Sequence, residues 1–335
     1  MILRPLVAGL SLRPVMRILR HPAGLPDSAR GAVIAIGNFD GVHNGHVAVI
    51  DAARAEARRL GRPLAVLTFA PHPRRFFRPD QPPFLLTRLR TKLRLFAGLG
   101  VEFAHVLRFD ARLAGVTAEQ FVDDLLVDQL AARHVAVGYD FVFGKGRAGR
   151  ADLLRARLAV AGVATTTVAA VASATGPNAV FSSTAARGAL AAGDLATAQA
   201  ILGRPFSIEG RVAIGDRRGR TIGFPTANLW LGEYVRPRFG VYAVCVDIAG
   251  RSHPGVANLG LRPTFGGDRE PRLEVHLLDF AGDLYGQRIC VDLLQFLRAE
   301  QKFDGIDALK AQIALDAASA RAALAGGCGA ARPSL

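Results

Sequence analysis

Residues 31–61 read GAVIAIGNFDGVHNGHVAVIDAARAEARRLG, a short apolar run followed by a glycine-rich turn and a longer amphipathic segment. The run GAVIAIG (31–37) has the composition of a buried β-strand, and HVAVIDAARAEARRLG (46–61) has the spacing of an amphipathic helix. A strand that leads through a glycine turn into a helix predicts a β-α unit of an open α/β sheet. The turn GNFDGVHNGH (37–46) would then lie beyond the carboxyl end of the strand, where such sheets bind ligands.

Four further runs of the β type follow, with helical patterns between them. They are PLAVLTF (63–69), FAHVLRF (103–109), HVAVGYD (134–140) and GVATTTV (162–168). This alternation predicts a doubly wound, mostly parallel α/β domain over residues 16–187. The segment GALAAGDLATAQAILG (188–203) is expected to form a helical link to a second domain.

From residue 204 the pattern changes to short, closely spaced strands separated by Gly, Pro and Asp turns. The apolar runs are FSIEGRV, GVYAVCVDI, SHPGVAN, RLEVHLLDF and QRICVDLLQFL. Crowded short strands with turn residues between them predict a small β-barrel over residues 204–325. The pattern DGIDALKAQIALDAASARAALA is expected to close this domain as a terminal helix.

The charge of the chain favours small phosphate-bearing ligands over nucleic acid. The 335 residues, enough for about two domains, carry a formal charge of +14, and half of them are hydrophobic. Of the 42 basic residues 38 are Arg, and these are scattered through the sequence without long runs or interleaved aromatic residues. Clustering is what a polyanion-binding surface requires, so we expect no nucleic-acid partner.

Cysteine usage and hydropathy predict a cytoplasmic location. Cys245, Cys290 and Cys328 form no CxxC pair and leave an odd thiol, which argues against disulfides and zinc and fits a reducing cytosol. The uncharged span 158–186 is built from Ala, Thr, Ser and Val around a Gly-Pro-Asn turn, so it predicts a buried strand, a loop and a helix start rather than a membrane segment. The Arg-rich first residues resemble a transit peptide only loosely, and a start at Met16 is the simpler interpretation.

The turn between the strand and the helix contains the candidate catalytic residues. Gly37, Gly41 and Gly45 let a phosphate approach the backbone, and a helix beginning near His46 offers free N–H groups. His43 and His46 are three residues apart and so fall on one side of the first helical turn. Two imidazoles there could donate hydrogen bonds to phosphate oxygens in a transition state. As a bare pattern, HxGH is equally compatible with two solvated loop histidines.

GNFDGVHNGH resembles the signature of the HxGH nucleotidyltransferases, and in its FDGVH form it is similar to prokaryotic bifunctional riboflavin kinase/FAD synthetases. The resemblance covers about residues 16–316. Further matching motifs, in order, are TFAPHP (68–73), GYDFVFGKGRAG (138–149), FSSTAARGAL (181–190), LGRPFSIEGRV (202–212), GRTIGFPTANL (219–229), GVANLGLRPTFGG (255–267) and LEVHLLDF (273–280). Ala185, Ala186 and Arg150 depart from the usual pattern without removing a proposed catalytic group.

For the first domain the resemblance implies transfer of AMP from ATP to FMN, giving FAD and pyrophosphate. It assigns His43 and His46 as transition-state donors. The residues implied to bind the nucleotide are Gly37, Asn38, Phe39, Asp40, Gly41, Ser182, Ser183, Thr184 and Arg187, the last four around the pyrophosphate. The residues implied to lie near the flavin are Phe69, Pro71, Pro73 and Asp140, although ordinary packing is an equal alternative for Phe69 and the prolines.

For the barrel the resemblance implies riboflavin kinase, which makes FMN from riboflavin and ATP. Glu274 matches the catalytic base, and strand alternation places it on one face with His276. Thr226 and Asn228, in PTAN, are the implied ligands of Mg2+, with a turn as the alternative. Arg298 and Phe303 match the flavin pocket, and GDRRGRTIG (215–223) is expected to form a flap over ATP.

Three alternatives frame this interpretation. The chain could retain one activity only or adenylylate another phosphate, or it could be a non-catalytic flavin- or RNA-binding regulator.

Gly144, Gly146 and Gly149 spell GxGxxG, but no acidic residue stands about twenty positions on, so a dinucleotide fold is rejected. We therefore expect a cytoplasmic enzyme with riboflavin, FMN and ATP as small-molecule partners, no nucleic-acid or membrane partner, and a monomeric or weakly oligomeric state.

Overall fold

The computed structural model describes residues 15–21, 24–172, 180–213, 224–263 and 269–328. The expected flap (215–223) and the Gly-Pro-Asn turn (176–178) lie outside these ranges. Contacts divide the chain into two compact units. The first comprises the described part of Met1–Gly37 with Ile50–Ala70 and Phe96–Thr166, and the second comprises Asn38–Val49, Pro71–Leu95 and the described part of Thr167–Leu335.

A six-stranded parallel sheet organises the first unit. Its strands are β1 (Arg17–Leu19), β2 (Val33–Ile36), β3 (Leu64–Ala70), β4 (Phe103–Arg108), β5 (His134–Gly138) and β8 (Ala164–Val168), in the order β1-β4-β3-β2-β5-β8. The helices of this part of the chain are α1 (Asn44–Leu60), α2 (Pro73–Phe77), α3 (Leu89–Gly98), α4 (Ala111–Ala114), α5 (Ala118–Gln120), which continues as a π-helix over Phe121–Gln129, and α6 (Ala151–Val160). A short hairpin is formed by β6 (Val142–Phe143) and β7 (Gly149–Arg150).

The predicted doubly wound α/β domain is confirmed. Strand β2 is buried at all four positions and pairs in parallel with both β3 and β5, as a near-continuous apolar strand at the centre of such a sheet should. Ile34 and Leu67 pack with Phe121 and Leu126 in one apolar cluster. Strand β8 is half exposed and stands at the end of the strand order, so its predicted burial is wrong; its Ala and Thr residues suit an edge.

An antiparallel sheet of six strands forms the barrel of the second unit. The strands are β9 (Phe206–Arg211), β10 (Ala227–Trp230), β11 (Gly240–Ile248), β12 (Arg251–Pro263), β13 (Arg269–Leu277) and β14 (Arg288–Arg298), in the order β10-β13-β12-β11-β14-β9. The two ends of this order meet, because the N–H of Ala213, just beyond β9, donates to the carbonyl of Asn228 on β10 at 2.9 Å. The sheet is therefore nearly closed, as the strand spacing predicted.

The predicted helical link is two helices, α7 (Ser183–Ala192) and α8 (Leu195–Leu202). Gly193 ends α7 in the left-handed conformation, and the Asp194 side chain caps α8 by accepting from the N–H of Thr197 at 3.0 Å. Both helices contribute apolar side chains to the barrel core. A terminal helix, α9 (Ile306–Ala323), follows β14 as predicted.

The expectation of no disulfide is wrong, because Cys245 on β11 is bonded to Cys328, which follows α9. The two residues lie 83 positions apart in the chain, and their Cα atoms are 5.6 Å apart. They meet because Ala317, Ala320 and Leu324 of the terminal helix region pack on the apolar face that includes Cys245. This docking is a tertiary event that cysteine spacing does not report. Cys290 is buried and forms no disulfide, and its Sγ accepts from Arg94 Nη2 at 3.6 Å.

Within the ranges that the structure describes, no helix has the length and apolar character needed to cross a membrane.

Candidate active sites

The HxGH turn begins where β2 ends. The N–H of Gly37 donates to the carbonyl of Leu67 at 3.1 Å, and α1 begins at Asn44, two residues before the predicted start. Gly41 has a left-handed φ of 87°, and a Cβ there would come within 2.8 Å of the Leu86 side chain. Its N–H donates to Thr87 Oγ1 at 2.9 Å. Position 41 thus needs glycine for both backbone conformation and space.

Asp40 fixes the shape of this turn. The residue is 1% exposed. Its Oδ1 accepts from the N–H groups of Leu86 and Thr87 at 3.0 and 3.1 Å, and its Oδ2 accepts from Arg187 Nη2 at 2.5 Å. Arg187 Nε donates to the carbonyl of Phe84 at 2.7 Å. The carboxylate is therefore compensated by an ion pair and backbone donors, as a buried charge must be. A contact of Arg187 with pyrophosphate stays a prediction.

His43 and His46 form a stacked pair, with ring centroids 3.6 Å apart and planes at 24°. Nδ1 of His43 accepts from the backbone N–H of His46 at 3.3 Å, so the neutral ring carries its proton on Nε2 and can donate there. His46 Nδ1 is buried and has no hydrogen-bond partner in the described part of the chain. Because His43 is only 7% exposed, the alternative of two solvated loop histidines is wrong.

Both imidazoles are held in the neutral form. Burial lowers the pKa of His43 to about 4; Asp40 opposes this shift, and Arg204 and Arg187 add to it. Burial also lowers the pKa of His46 well below its usual value, with smaller contributions from His43, Lys92 and Arg204. Near pH 7 the pair therefore consists of neutral rings, which lie near the charged groups of Asp40, Arg187, Arg204 and Lys92.

Sequence reasoning missed two cations at this turn. Arg204 Nη1 donates to the carbonyl of Val42 at 3.1 Å, and Lys92 Nζ donates to the carbonyl of Asn38 at 2.6 Å. Arg204 stood within the motif LGRPF and could have been flagged there. Lys92 gave no signal, because TKLRL reads as an ordinary amphipathic helix with a charged face.

The serine-rich motif begins α7. Ser182 is its N-cap and accepts from the N–H of Ala185 at 3.1 Å, while Ser183 Oγ donates to the carbonyl of Asp40 at 2.8 Å. Thr184 is exposed in the first turn. The structure therefore joins the HxGH turn to the amino end of a ten-residue helix, where free N–H groups and the helix dipole favour an anion.

The candidate flavin residues of the first domain fall in both units. Phe69 lies on β3 with its ring edge-on to Phe109, at 5.9 Å between centroids, and Asp140 is exposed after β5; both belong to the first unit. Pro71 and Pro73 belong to the second unit, where Pro73 begins α2 and the preceding His72 caps it, accepting from the N–H of Arg74 at 3.1 Å.

The barrel brings the kinase candidates together on adjacent strands. Asn228 on β10 and Asn258 on β12 are the direct cross-strand neighbours of Glu274 on β13. Leu273 and Val275 point into the barrel core, so the row Asn228–Glu274–Asn258 lies on the opposite face. Sequence alternation predicted the face of Glu274, but not its neighbours, because register depends on strand pairing.

The segment before β10 is held beside this row. Nδ2 of Asn228 donates to the carbonyl of Thr226 at 3.4 Å, which leaves the amide oxygen as an acceptor. Nδ1 of His276 lies 2.9 Å from the carbonyl of Pro225; since a carbonyl only accepts, this nitrogen carries the proton. A cavity of about 460 Å³ adjoins His276, and its lining includes Pro225, Phe280 and Arg321.

Arg298 is tied to the terminal helix. Its Nε and Nη2 donate to the two carboxylate oxygens of Asp316 at 2.8 and 2.6 Å, and its guanidinium lies 5.8 Å from the ring centre of Phe303. The two flavin candidates of the barrel are therefore in contact with each other, and α9 orients one of them. Their role in flavin binding stays a prediction.

The buried histidines predict an acid-sensitive fold. Burial lowers the pKa values of His43, His72 and His105 to about 4. In the unfolded chain these rings take up protons as the pH falls below about 6.5, whereas in the folded chain they do so only near 4, so stability is lost between these values. At pH 5 we expect each ring to cost roughly 1–2 kcal/mol of unfolding free energy relative to pH 7.5. Urea unfolding at both pH values measures this loss.

His105→Gln provides the matched test, because His105 is 1% exposed on β4 and its shift comes from burial alone. The variant should lose less stability between pH 7.5 and 5 than the parent protein. Equal losses in both proteins, or no loss in the parent, would contradict neutral burial of these rings.

Comparison with known proteins gives a consistent result along the whole chain. The FAD synthetase family model matches residues 25–185, and the riboflavin kinase family model matches residues 202–324. The Escherichia coli K12 bifunctional riboflavin kinase/FMN adenylyltransferase is 47% identical over 308 residues, which cover 91% of this chain and 97% of that protein. The Bacillus subtilis protein of the same name is 39% identical, over 89% of this chain and 94% of the relative. A crystal structure described as a macrolide-efflux protein from Streptococcus pneumoniae is 31% identical, with a TM-score of 0.80 over 91% of this chain and 98% of its own.

Proposed function

Since the chain belongs to the bifunctional riboflavin kinase/FMN adenylyltransferase family, we infer that it catalyses two successive steps. Riboflavin and ATP give FMN and ADP at the barrel; FMN and a second ATP then give FAD and pyrophosphate at the HxGH site. The observation that carries this inference is the presence of two non-overlapping family matches in one chain, over residues 25–185 and 202–324. If the chain had one activity only, or adenylylated another phosphate, one of the two family matches would be unexplained.

Adenylyl transfer needs positioning more than proton removal. An oxygen of the FMN phosphate forms a bond to the α-phosphorus of ATP, and the bond from that phosphorus to the pyrophosphate oxygen breaks. The nucleophile is already anionic, so no general base is required. Negative charge that shifts onto the transferring and leaving phosphate oxygens would be met by His43 Nε2–H, by His46 and by backbone N–H groups of the turn.

The two stacked rings favour this role. Both rings are neutral before ATP binds, because burial lowers their pKa values. Their stacking holds the two rings in a fixed relative orientation. The remaining nucleotide contacts, among them Gly37, Phe39, Ser182 and Thr184, are proposed from the family motifs and from their location at the turn or at the start of α7.

Phosphoryl transfer to riboflavin requires a base. The ribityl hydroxyl attacks the γ-phosphorus of ATP, its proton passes to a Glu274 carboxylate oxygen, and ADP leaves. Location between Asn228 and Asn258 on neighbouring strands supports this role, because the base would lie next to a proposed metal ligand. We propose Arg298 and Phe303 as part of the riboflavin pocket.

The donor set of the barrel fits Mg2+ bound chiefly through ATP. Among the described residues, no group of three or more His, Cys, Asp or Glu could hold a metal. Thr226 and Asn228 offer neutral oxygens, and an ion with few protein ligands completes its shell with water and phosphate oxygens. When bound, the ion would offset the charge of the ATP phosphates. Asn228, on the strand next to the base, and Thr226, just before that strand, would hold it.

Other features of the chain are also proposed. We propose flavin contacts at Phe69, Pro71, Pro73 and Asp140, and domain limits at 16–187, 188–203 and 204–325. A cytoplasmic location is proposed because ATP is a substrate, together with a monomeric or weakly oligomeric state. The scattered arginines support small phosphate-bearing ligands as partners, without nucleic acid or membrane.

Separation of flavins by chromatography tests both activities in one experiment. Purified protein incubated with riboflavin, ATP and magnesium should accumulate FMN first and FAD later, and FMN supplied in place of riboflavin should give FAD directly. Product that stops at FMN would favour a single kinase activity. Unchanged riboflavin and FMN in protein that still binds flavin would identify a regulator and overturn the proposal.

A further inference from the structure

A lysine is buried where the HxGH turn meets α3. Lys92 lies in the first turns of that helix and is only 4% exposed. Lysine is almost never this buried unless its charge is compensated. In the described part of the chain its Nζ has one hydrogen-bond acceptor, the carbonyl of Asn38 at 2.6 Å. An ammonium group has three donors, so this contact uses only part of its capacity.

The charges around Lys92 do not balance. The carboxylate of Asp40 is nearby but forms its ion pair with Arg187, at 2.5 Å, and accepts from two backbone N–H groups. Lys92 and Arg187 therefore share one buried carboxylate, and its ion pair is already made with Arg187. In the described part of the chain this leaves the buried ammonium of Lys92 without a carboxylate of its own, an arrangement that is costly unless an anion joins it.

The unpaired charge is directed at the proposed reaction site. The Lys92 ammonium interacts electrostatically with the imidazoles of His46 on α1 and His72 before α2, and Arg204 interacts with both His43 and His46. Asn38, whose carbonyl Lys92 contacts, lies in the turn that is proposed to bind nucleotide. The missing anion would thus lie beside the two histidines, as the ATP phosphates do in the proposed function.

We propose that Lys92 is an ATP-binding residue of the HxGH site, whose ammonium group holds the Asn38 carbonyl in the free protein and also contacts phosphate oxygens of bound ATP. This assignment rests on the proposed adenylyl transfer and adds a residue to it. The contact is one of charge: the guanidinium of arginine could replace it in part, whereas an apolar side chain of the same length could not.

A purely structural lysine would predict a different result. Nζ could simply fix the backbone at Asn38, and its loss would then lower stability without a specific effect on ATP. The pH dependence separates the two roles. Burial lowers the pKa of Lys92 to about 8, with Asp40 opposing this shift. The groups facing it are Asp40, His46 and His72; burial lowers the pKa of both rings far below this range. A loss of ATP binding above pH 8 would therefore report Lys92.

Lys92→Met, Lys92→Arg and the control Lys310→Met, at an exposed lysine of α9, test the assignment. For FAD formation from FMN we expect kcat/KM for ATP to fall by about 10- to 100-fold in Lys92→Met. Lys92→Arg should recover part of this loss. In the parent protein kcat/KM should decline above pH 8, and in Lys92→Arg it should stay level to higher pH. Riboflavin phosphorylation by the same samples reports whether the barrel remains intact.

Two results would overturn the assignment. One is a Lys92→Met protein whose kcat/KM for ATP stays within about threefold of that of Lys310→Met. The other result does not depend on whether Lys92→Met folds. It is a value of kcat/KM for ATP that stays level through pH 9 in the parent protein, or a decline above pH 8 that persists in Lys92→Arg. Parent protein that makes no FAD at all would overturn the proposed function itself, whereas active parent protein with these results overturns only the role of Lys92.

Discussion

Glu274→Gln is expected to lower the rate of riboflavin phosphorylation by about 10²- to 10⁴-fold, because glutamine keeps the size of the side chain but cannot accept the hydroxyl proton. Conversion of FMN to FAD by the same protein should stay within about twofold of the parent rate, since the HxGH groups are unaltered. Glu274 lies on β13 in the row with Asn228 and Asn258, whereas His43 and His46 lie at the start of α1. Initial rates of FMN formation and FAD formation, measured by flavin chromatography, provide both numbers.

Glu270→Gln is the matched control. Glu270 lies on the same strand, four residues earlier, and is exposed. The control should retain both activities. Retention of riboflavin phosphorylation in Glu274→Gln would show that another group accepts the proton. Loss of both activities in a folded Glu274→Gln protein would contradict two separate sites.

His46→Asn and His43→Asn are expected to reverse this pattern. Either change should lower adenylylation of FMN by about 10²- to 10³-fold, the usual cost of removing one preorganised donor from a transition state. The double variant should lose little more than the worse single variant, because the stacked rings act as a unit. Riboflavin phosphorylation should persist, so that riboflavin and ATP yield FMN as the final product.

A structural contribution of these rings can be separated from the chemistry. His43 Nδ1 accepts from the N–H of His46 at the start of α1, and asparagine can make a similar cap, so helix stability should change little at position 43. His105→Gln provides a control for loss of a buried neutral imidazole elsewhere. If this control lost adenylylation as severely as His46→Asn, or if both HxGH variants kept it, the donor role would be wrong.

Local patterns in the sequence were sufficient for the architecture. The apolar run of β2, the glycine turn and the amphipathic α1 are contiguous, so composition and period predict them without knowledge of distant residues. The crowded strands after residue 204 predicted a barrel for the same reason. Even the face of Glu274 followed from alternation, since side chains on a strand point in opposite directions at successive positions.

Interactions between distant segments were not predictable in this way. Lys92 reads as one charged position on a helix, and only the packing of α3 against the turn brings its Nζ to the Asn38 carbonyl. The ion pair of Asp40 with Arg187 joins residues 147 positions apart. Cys245 and Cys328 meet only because of where α9 docks. Sequence spacing contains no direct information on such pairings.

The pKa shifts of the buried histidines also could not be predicted from the sequence. A histidine in the sequence suggests a group that titrates near neutrality, yet burial keeps His43 neutral to about pH 4. The two rings that the sequence predicted as hydrogen-bond donors are therefore neutral near pH 7. Desolvation depends on the complete packed surroundings, which motif spacing cannot supply.

The central claim is that one chain contains two sites, at which flavin substrates attack ATP at different phosphorus atoms. Isotopic labelling tests this claim most directly. Parent protein should place label from [γ-32P]ATP on the phosphate of FMN and label from [α-32P]ATP in the adenylate half of FAD. The His43/His46 double variant, given riboflavin, should form only γ-labelled FMN, and Glu274→Gln, given FMN, should form only α-labelled FAD. The account would be contradicted by a Glu274→Gln protein that forms no α-labelled FAD from FMN, or by a double variant that forms no γ-labelled FMN from riboflavin. Parent protein that transfers neither label to flavin would also contradict it.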